Sequence, residues 1–177
     1  MGLAPVLTVN GWTVLLHPLF LDQIAAIIED IRRARQKDAA NFRTKNCAKR
    51  LGAILKLAFE DIPQNPASPA YRQGSTLGAD YTHWLRAKFF QQYRLFFRYD
   101  MKSKVIIYAW VNDENTKRAY DSKTDAYAVF RDMLLGKNPP SDWAALRKAC
   151  ETEAARRTEA GEPSISDVVA ATRQEIL

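Results

Sequence analysis

"YRLFFRYDMKSKVIIYAWV" (93–111) decides the fold. Two runs rich in β-branched and aromatic residues, 93–99 and 104–111, flank the polar turn "DMKS". That is the pattern of an antiparallel strand pair. Just upstream, "WLRAKF" (84–89) is a third such run, set off by "FQQ". The reading is a three-stranded antiparallel meander.

Side chains alternate along a strand, so residues two apart share a face. Tyr93, Leu95, Phe97 and Tyr99 form one apolar side, suited to packing under helices. The other side carries Arg86, Lys88, Arg94 and Arg98 with no carboxylate among them. Like charges on paired strands repel, so a one-sign cluster calls for an anion. Beyond the last strand, "NDENTKRAYDSKTDAY" (112–127) brings Arg118 and Tyr120, which can swing over this basic face. Ser122 with Asp125 three residues on resembles a capping box, and Ala126, Val129, Phe130, Met133 and Leu134 give the next helix its apolar face. Gly136, Pro139 and Pro140 end it.

Working toward the N-terminus, "GWTVLLHPLF" (11–20) reads as one short strand ending at Pro18. From Leu21 a helix follows, its face marked by Ile24, Ala25, Ile28 and Ile31. A second helix is predicted over 40–59, with Leu51, Ile54, Leu55, Ala58 and Phe59 buried. The exposed side of this hairpin is basic: Arg32, Arg33, Arg35, Lys37, Arg43, Lys45, Lys49, Arg50 and Lys56 face the lone acid Asp38. The segment 62–81 has three prolines and two glycines and reads as a long irregular connection. Toward the C-terminus lie a charged helical segment (141–159) and a final helix capped by Ser164 or Ser166. Val168, Val169, Ile176 and Leu177 there suit packing against an apolar surface. The class is α+β, an antiparallel sheet with helices on one face. Residues 1–143 form the main domain and 144–177 a C-terminal helical extension.

Composition agrees with a folded, polyanion-binding chain. The 177 residues are 47% hydrophobic, enough for a core. No apolar run approaches a membrane span, and the first residues carry no leader-like pattern, so a cytoplasmic protein is expected. The net charge is +6, and the first 140 residues hold 21 basic against 13 acidic side chains. A basic body is a prior for nucleic acid. Cys47 and Cys150 have no ligand spacing and read as reduced thiols. The acids show no metal-ligand pattern, and no phosphate-binding loop or nucleophile elbow is present, so no metal or cofactor is expected. His17 and His83 are too few for a His-pair nuclease unless they meet; His17 reads as structural and His83 adjoins the basic strand.

"YRLFFRYD", "KVIIYAWVNDENTKRAY", "KTDAYAVFRDML" and "NPASPAYRQGSTLG" resemble the YhaV family of bacterial toxins, within the RelE/ParE superfamily, over about residues 10 to 143. The resemblance implies a RelE-like fold, with an N-terminal strand and helical hairpin ahead of the meander. It implies a toxin of a type II toxin–antitoxin system: an endoribonuclease that cleaves messenger RNA on the ribosome and stops translation. Its implied partner is a PrlF-like antitoxin with an AbrB-type DNA-binding domain, and the pair would bind its own promoter. Carried over residue by residue, the site is Arg86 and Lys88 on the first meander strand, Arg94 opening the next, and Arg118 with Tyr120 in the loop. Straight counting puts the loop arginine at Glu114, and Arg118 takes its place only if the loop bends differently. Arg98, Lys45, Lys49, Arg50 and His83 would contact RNA.

The chemistry suits these side chains. Without a metal, the 2′-OH attacks the adjacent phosphate and a 2′,3′-cyclic phosphate results. Arg94 and Arg118 would hold the phosphate and its developing charge. Lys88 would serve as base or acid, and Tyr120 would stack on a base or orient the 2′-OH. Two alternatives stand beside this: a ParE-like toxin that acts by binding a protein, and a catalytically silent nucleic-acid-binding module.

Overall fold

The structure, a computed structural model, describes residues 7–177; the first six, which belong to the stretch read above for a leader, lie outside the described residues. Thr8–Val9 (β1) and Trp12–Leu16 (β2) pair as a tight hairpin where the sequence suggested a single strand. Asn10 and Gly11 close it, both at positive φ (49° and 80°), as such a two-residue turn requires. The strand stops at Leu16, and helix α1 (Pro18–Lys37) starts at Pro18 rather than Leu21. Proline is favoured at that first position, and the His17 ring nitrogen accepts from the Leu19 N–H at 3.1 Å. Phe20, Leu21, Ile24, Ile27 and Ile31 form the buried stripe; Ala25, expected inside, is exposed.

The second helix begins later than its apolar spacing suggested. A 3₁₀ turn (Phe42–Thr44) precedes α2 (Asn46–Lys56), which widens through a π turn (Leu57–Asp61) into the short α3 (Ile62–Gln64). Leu51, Ile54, Leu55, Ala58 and Phe59 are buried as expected. The stretch to residue 81 is less irregular than its prolines indicated. It forms 3₁₀ turns at Pro69–Tyr71 and Ala79–Tyr81, bridges Arg72 to Leu85, and buries Leu77 completely. The buried Gln73 amide pins it, accepting from Leu77 N–H at 3.1 Å and donating to the Tyr81 carbonyl at 2.8 Å.

β3 (Leu85–Phe89), β4 (Tyr93–Asp100) and β5 (Val105–Val111) form the expected antiparallel meander. The sheet as a whole is mixed. Its order is β1-β2-β5-β4-β3, and β2 runs parallel to β5, with Thr13 beside Val105 and Leu16 beside Tyr108.

Helices cover both faces of this sheet, not one. On one side α1 and α2 pack over Leu95, Phe97, Ile106 and Tyr108, and α6 (Ile165–Gln174) joins the same core through Val169, beside Leu21, Leu55 and Phe59. On the other, α4 (Ala126–Leu135) and α5 (Trp143–Glu159) pack over Phe96, Ile107 and Trp110. Phe130 of α4 stacks on Phe96 with ring centres 4.2 Å apart, and Leu146 and Cys150 of α5 close the layer. This second core lies on the face that Arg86, Arg94 and Arg98 share. That face is therefore roofed over, and the arginines sit at its margin.

The basic hairpin is also more neutral than its sequence. Arg32 and Arg35 pair with Glu175 just beyond α6, Arg32 also with Glu29, Arg33 with Asp30, and Lys56 with Asp61. Val169 is buried and Val168 and Ile176 are partly so, whereas Leu177 is 72% exposed.

Candidate active site

Tyr127, in the first turn of α4, is where the arginines meet. Its hydroxyl accepts from Arg86 Nε at 3.0 Å and from Arg94 Nε at 3.2 Å, and the residue is buried. Arg118 lies over the same ring, 4.7 Å from its centre. Backbone carbonyls hold the rest: Arg86 Nη1 donates to Ala70 O (2.7 Å), and Arg94 Nη1 to Gln91 O (2.7 Å) and Tyr93 O (2.9 Å). Among the described residues neither Arg86 nor Arg94 pairs with a carboxylate. Their Nη2 amines make no hydrogen bond within the protein and keep contact with solvent. Two preorganised cations with spare donors thus sit against Tyr127, which with Arg118, Tyr120, Asp121, Lys123 and Arg131 lines a cleft of about 380 Å³.

The third arginine is held differently. Asp125, rather than Ser122, caps α4, its carboxylate accepting from Tyr127 N–H at 3.1 Å. The same group accepts from Arg118 Nη1 at 2.6 Å and from Ala119 N–H at 2.7 Å. Burial pushes the Asp125 carboxyl up, but Arg118 and these N–H donors outweigh it and hold it below the usual range. Burial likewise lowers Arg118, and Asp125 more than reverses that. Arg86 and Arg94 thus lack a carboxylate partner, as the sequence of their strands indicated, whereas the loop arginine Arg118 has one of its own.

Asn112, at the exit of β5, knits loop to sheet. Its side chain accepts from Arg94 N–H (2.6 Å) and donates to Gln92 O (2.9 Å) and Thr116 O (2.8 Å). Arg118 N–H donates to Gln92 O at 2.9 Å. The loop therefore bends so that Arg118, not Glu114, reaches the cluster. Glu114 turns instead to Tyr93, which donates to it at 2.7 Å, and to Lys117. Tyr127 and Asn112 escaped the reading of the sequence, and Asp125 was read only as part of a capping box. A tyrosine on an otherwise apolar helix face was the available signal, since a buried phenol needs a polar partner.

The remaining expected residues scatter. Lys88 is exposed, directly opposite Arg94 in the strand register. Tyr120 is 82% exposed, with Arg118 4.0 Å over its ring. Arg98 sits between Trp84 (5.7 Å) and Trp143 (5.3 Å), donating to Ser141 O. His83 lies 3.0 Å from Ser141 Oγ; burial, then Arg98, push its ring below the ordinary value. Lys45 and Lys49 are exposed. Arg50, expected on the exposed basic side, is buried over the Tyr93 ring and donates to Asn112 O at 3.2 Å, bracing the loop from beneath.

The architecture is α+β, helices packed on a mixed five-stranded sheet, and is consistent with the RelE-like fold that the sequence resembled. The chain belongs to the family of YhaV toxins, described as toxins with endonuclease activity of toxin–antitoxin systems, whose family model matches residues 14–151. It is 45% identical over 145 residues to the ribonuclease toxin YhaV of Escherichia coli K12, covering 81% of this chain and 94% of that protein. The YhaV toxins of Escherichia coli O157:H7 and of strain CFT073 match to the same extent. No solved structure matches.

Proposed function

We propose that this toxin is an endoribonuclease that cleaves messenger RNA at the Tyr127 cleft and thereby stops translation. The observation that carries the reading is the convergence of Arg86, Arg94 and Arg118 on one phenol, two of them with donors left over. Donors fixed before substrate arrives stabilise charge as it develops, without reorganisation at the moment of reaction. In the step proposed, the 2′-oxygen bonds to phosphorus, the bond from phosphorus to the 5′-oxygen breaks, and a proton passes from the 2′-OH to the departing 5′-oxygen. Arg94 and Arg86 bind the phosphate through their free amines. Arg118 leaves Asp125 in part to meet the same charge. Lys88 and Tyr120, both exposed, are the proton carriers and orienting groups at the open side. Tyr127 touches the arginines and acts as a positioning residue. One carboxylate among three guanidiniums is a poor nest for a divalent cation, which supports metal-independent chemistry.

Family membership supports an antitoxin partner; we take it to be PrlF-like, with an AbrB-type domain through which the pair binds its promoter. The sparse acid–base set favours cleavage on the ribosome, in the cytoplasm, where bound messenger RNA is already positioned. No described helix is long and apolar enough to cross a membrane. Residues 144–177 extend the main domain (1–143) and brace it, α5 against the second core and α6 against the first.

The test is Arg94→Ala, read by growth on induction without antitoxin and by mapped 5′ ends of cellular messenger RNA. Wild-type arrest with new cleavage ends, both lost in the folded variant, supports the reading. Arrest that persists in the variant, or that comes with no new ends, refutes it.

A further inference from the structure

The β3–β4 turn presents a side chain that the cleft does not use. Phe90 and Gln91 both have positive φ (45° and 63°), a backbone that favours Asn and Gly. A phenylalanine is an unfavourable choice there, and burial does not repay it, for Phe90 is 50% exposed. Its ring stands edge-on to Phe89 at 5.6 Å, and Phe89 stacks on Tyr93 at 5.3 Å. An open cleft of about 420 Å³ adjoins it, lined by Asn46, Lys49, Phe90, Gln92, Tyr93 and Lys117. Lys117 pairs with Glu114 at 2.9 Å, whereas Lys49 has no carboxylate partner among the described residues. The same turn supplies the carbonyls that hold the site: Gln91 O takes Arg94, and Gln92 O takes Arg118 and Asn112. The turn that carries Phe90 is thereby tied through its backbone to Arg94 and Arg118.

We propose that Phe90 is a stacking platform for an unpaired nucleobase beside the scissile phosphate, with Lys49 and Lys117 taking the adjoining phosphates. This rests on the ribonuclease reading above. A lone exposed ring flanked by lysines fits a base and its phosphates better than the wide apolar patch of a protein interface. Every base has a π-face, so the contact adds grip with little sequence preference.

The test uses the full chain and a short single-stranded RNA made uncleavable by 2′-O-methylation, with affinity read by fluorescence anisotropy. Phe90→Ala is expected to weaken binding about tenfold, and Phe90→Trp to match or exceed wild type. Met101→Ala serves as control: that side chain is similarly exposed, at the β4–β5 turn, and its loss is expected to leave affinity unchanged. Equal affinity of Phe90→Ala and wild type overturns the inference, as does an equal loss in Met101→Ala. If Phe90→Ala instead loses only antitoxin binding, the turn is a protein contact and the inference falls. The ribonuclease reading fails separately, through cleavage that survives Arg94→Ala.

Discussion

Replacing Asp125 separates two jobs that one carboxylate performs. It caps α4 and it neutralises Arg118, whose side chain is only 16% exposed. Asparagine caps a helix about as well as aspartate, so Asp125→Asn removes the charge and keeps the cap, its single amide oxygen serving Tyr127 N–H at the expense of Ala119 N–H. Stripping a partner from a fully buried ion pair costs about 3–5 kcal/mol. Arg118 keeps some water, so about 2 kcal/mol is the fitting loss for Asp125→Asn. Asp125→Ala removes the cap as well, about 1 kcal/mol more. Thermal unfolding at pH 7 should then place the asparagine variant about 4–8 °C below wild type and the alanine variant lower still. The pH dependence carries a second signature. The folded Asp125 carboxyl sits below its unfolded value, so its contribution is complete above about pH 4 and is lost as pH falls through the folded value. Asp125→Asn should lack that part of the acid slope. Equal melting temperatures for the two variants, or an asparagine variant as stable as wild type, would refute the division of labour.

Tyr127→Phe leaves two buried guanidinium nitrogens without an acceptor; urea unfolding should show a loss of about 3 kcal/mol. Because Arg86 and Arg94 lose their common anchor, cleavage should fall on the order of 10²-fold in a gel assay. Burial pushes His17 down to about 4, so the folded state favours its neutral ring. Stability should therefore be complete above the ordinary value near 6.5 and decline by about 3 kcal/mol in total as pH falls from there to about 4. His17→Asn keeps a capping side chain and should flatten that decline in urea titrations. Arg98→Ala should cost about 2 kcal/mol by emptying the slot between Trp84 and Trp143, and hydrogen exchange should quicken in the first turn of α5.

Local signals in the chain proved easier to read than relations between its parts. The meander was legible because alternation and short polar turns are encoded residue by residue, and β3, β4 and β5 fall within a residue of their expected limits. The Asn10–Gly11 hairpin was missed, because its outer strand is two residues long and carries almost no pattern. Parallel pairing of β2 with β5 joins distant segments and leaves no local trace. At the site, Arg86 and Arg94 were read with Lys88 and Arg98 as one basic face open to an anion. Their alternation with Trp84 and Phe96 fits an arginine margin around a second core equally well, and only packed α4 distinguishes the two. Tyr127 was hidden by its place in an apolar helix stripe, where a phenol and a phenylalanine look alike until a guanidinium arrives.

The parallel contact between β2 and β5 also orders events in time. During synthesis, the hairpin of α1 and α2 emerges long before β5 exists to seat it, because Thr13 must wait for Val105. Arg86, Arg94 and Tyr127 all follow, and their alignment needs α4 as a roof. A growing chain therefore carries no assembled cleft while most of its length is out. Long-range pairing of this kind closes slowly and as a unit. Toxicity would then switch on only once α4 has emerged, giving an antitoxin a window in which to meet its target before that target can act.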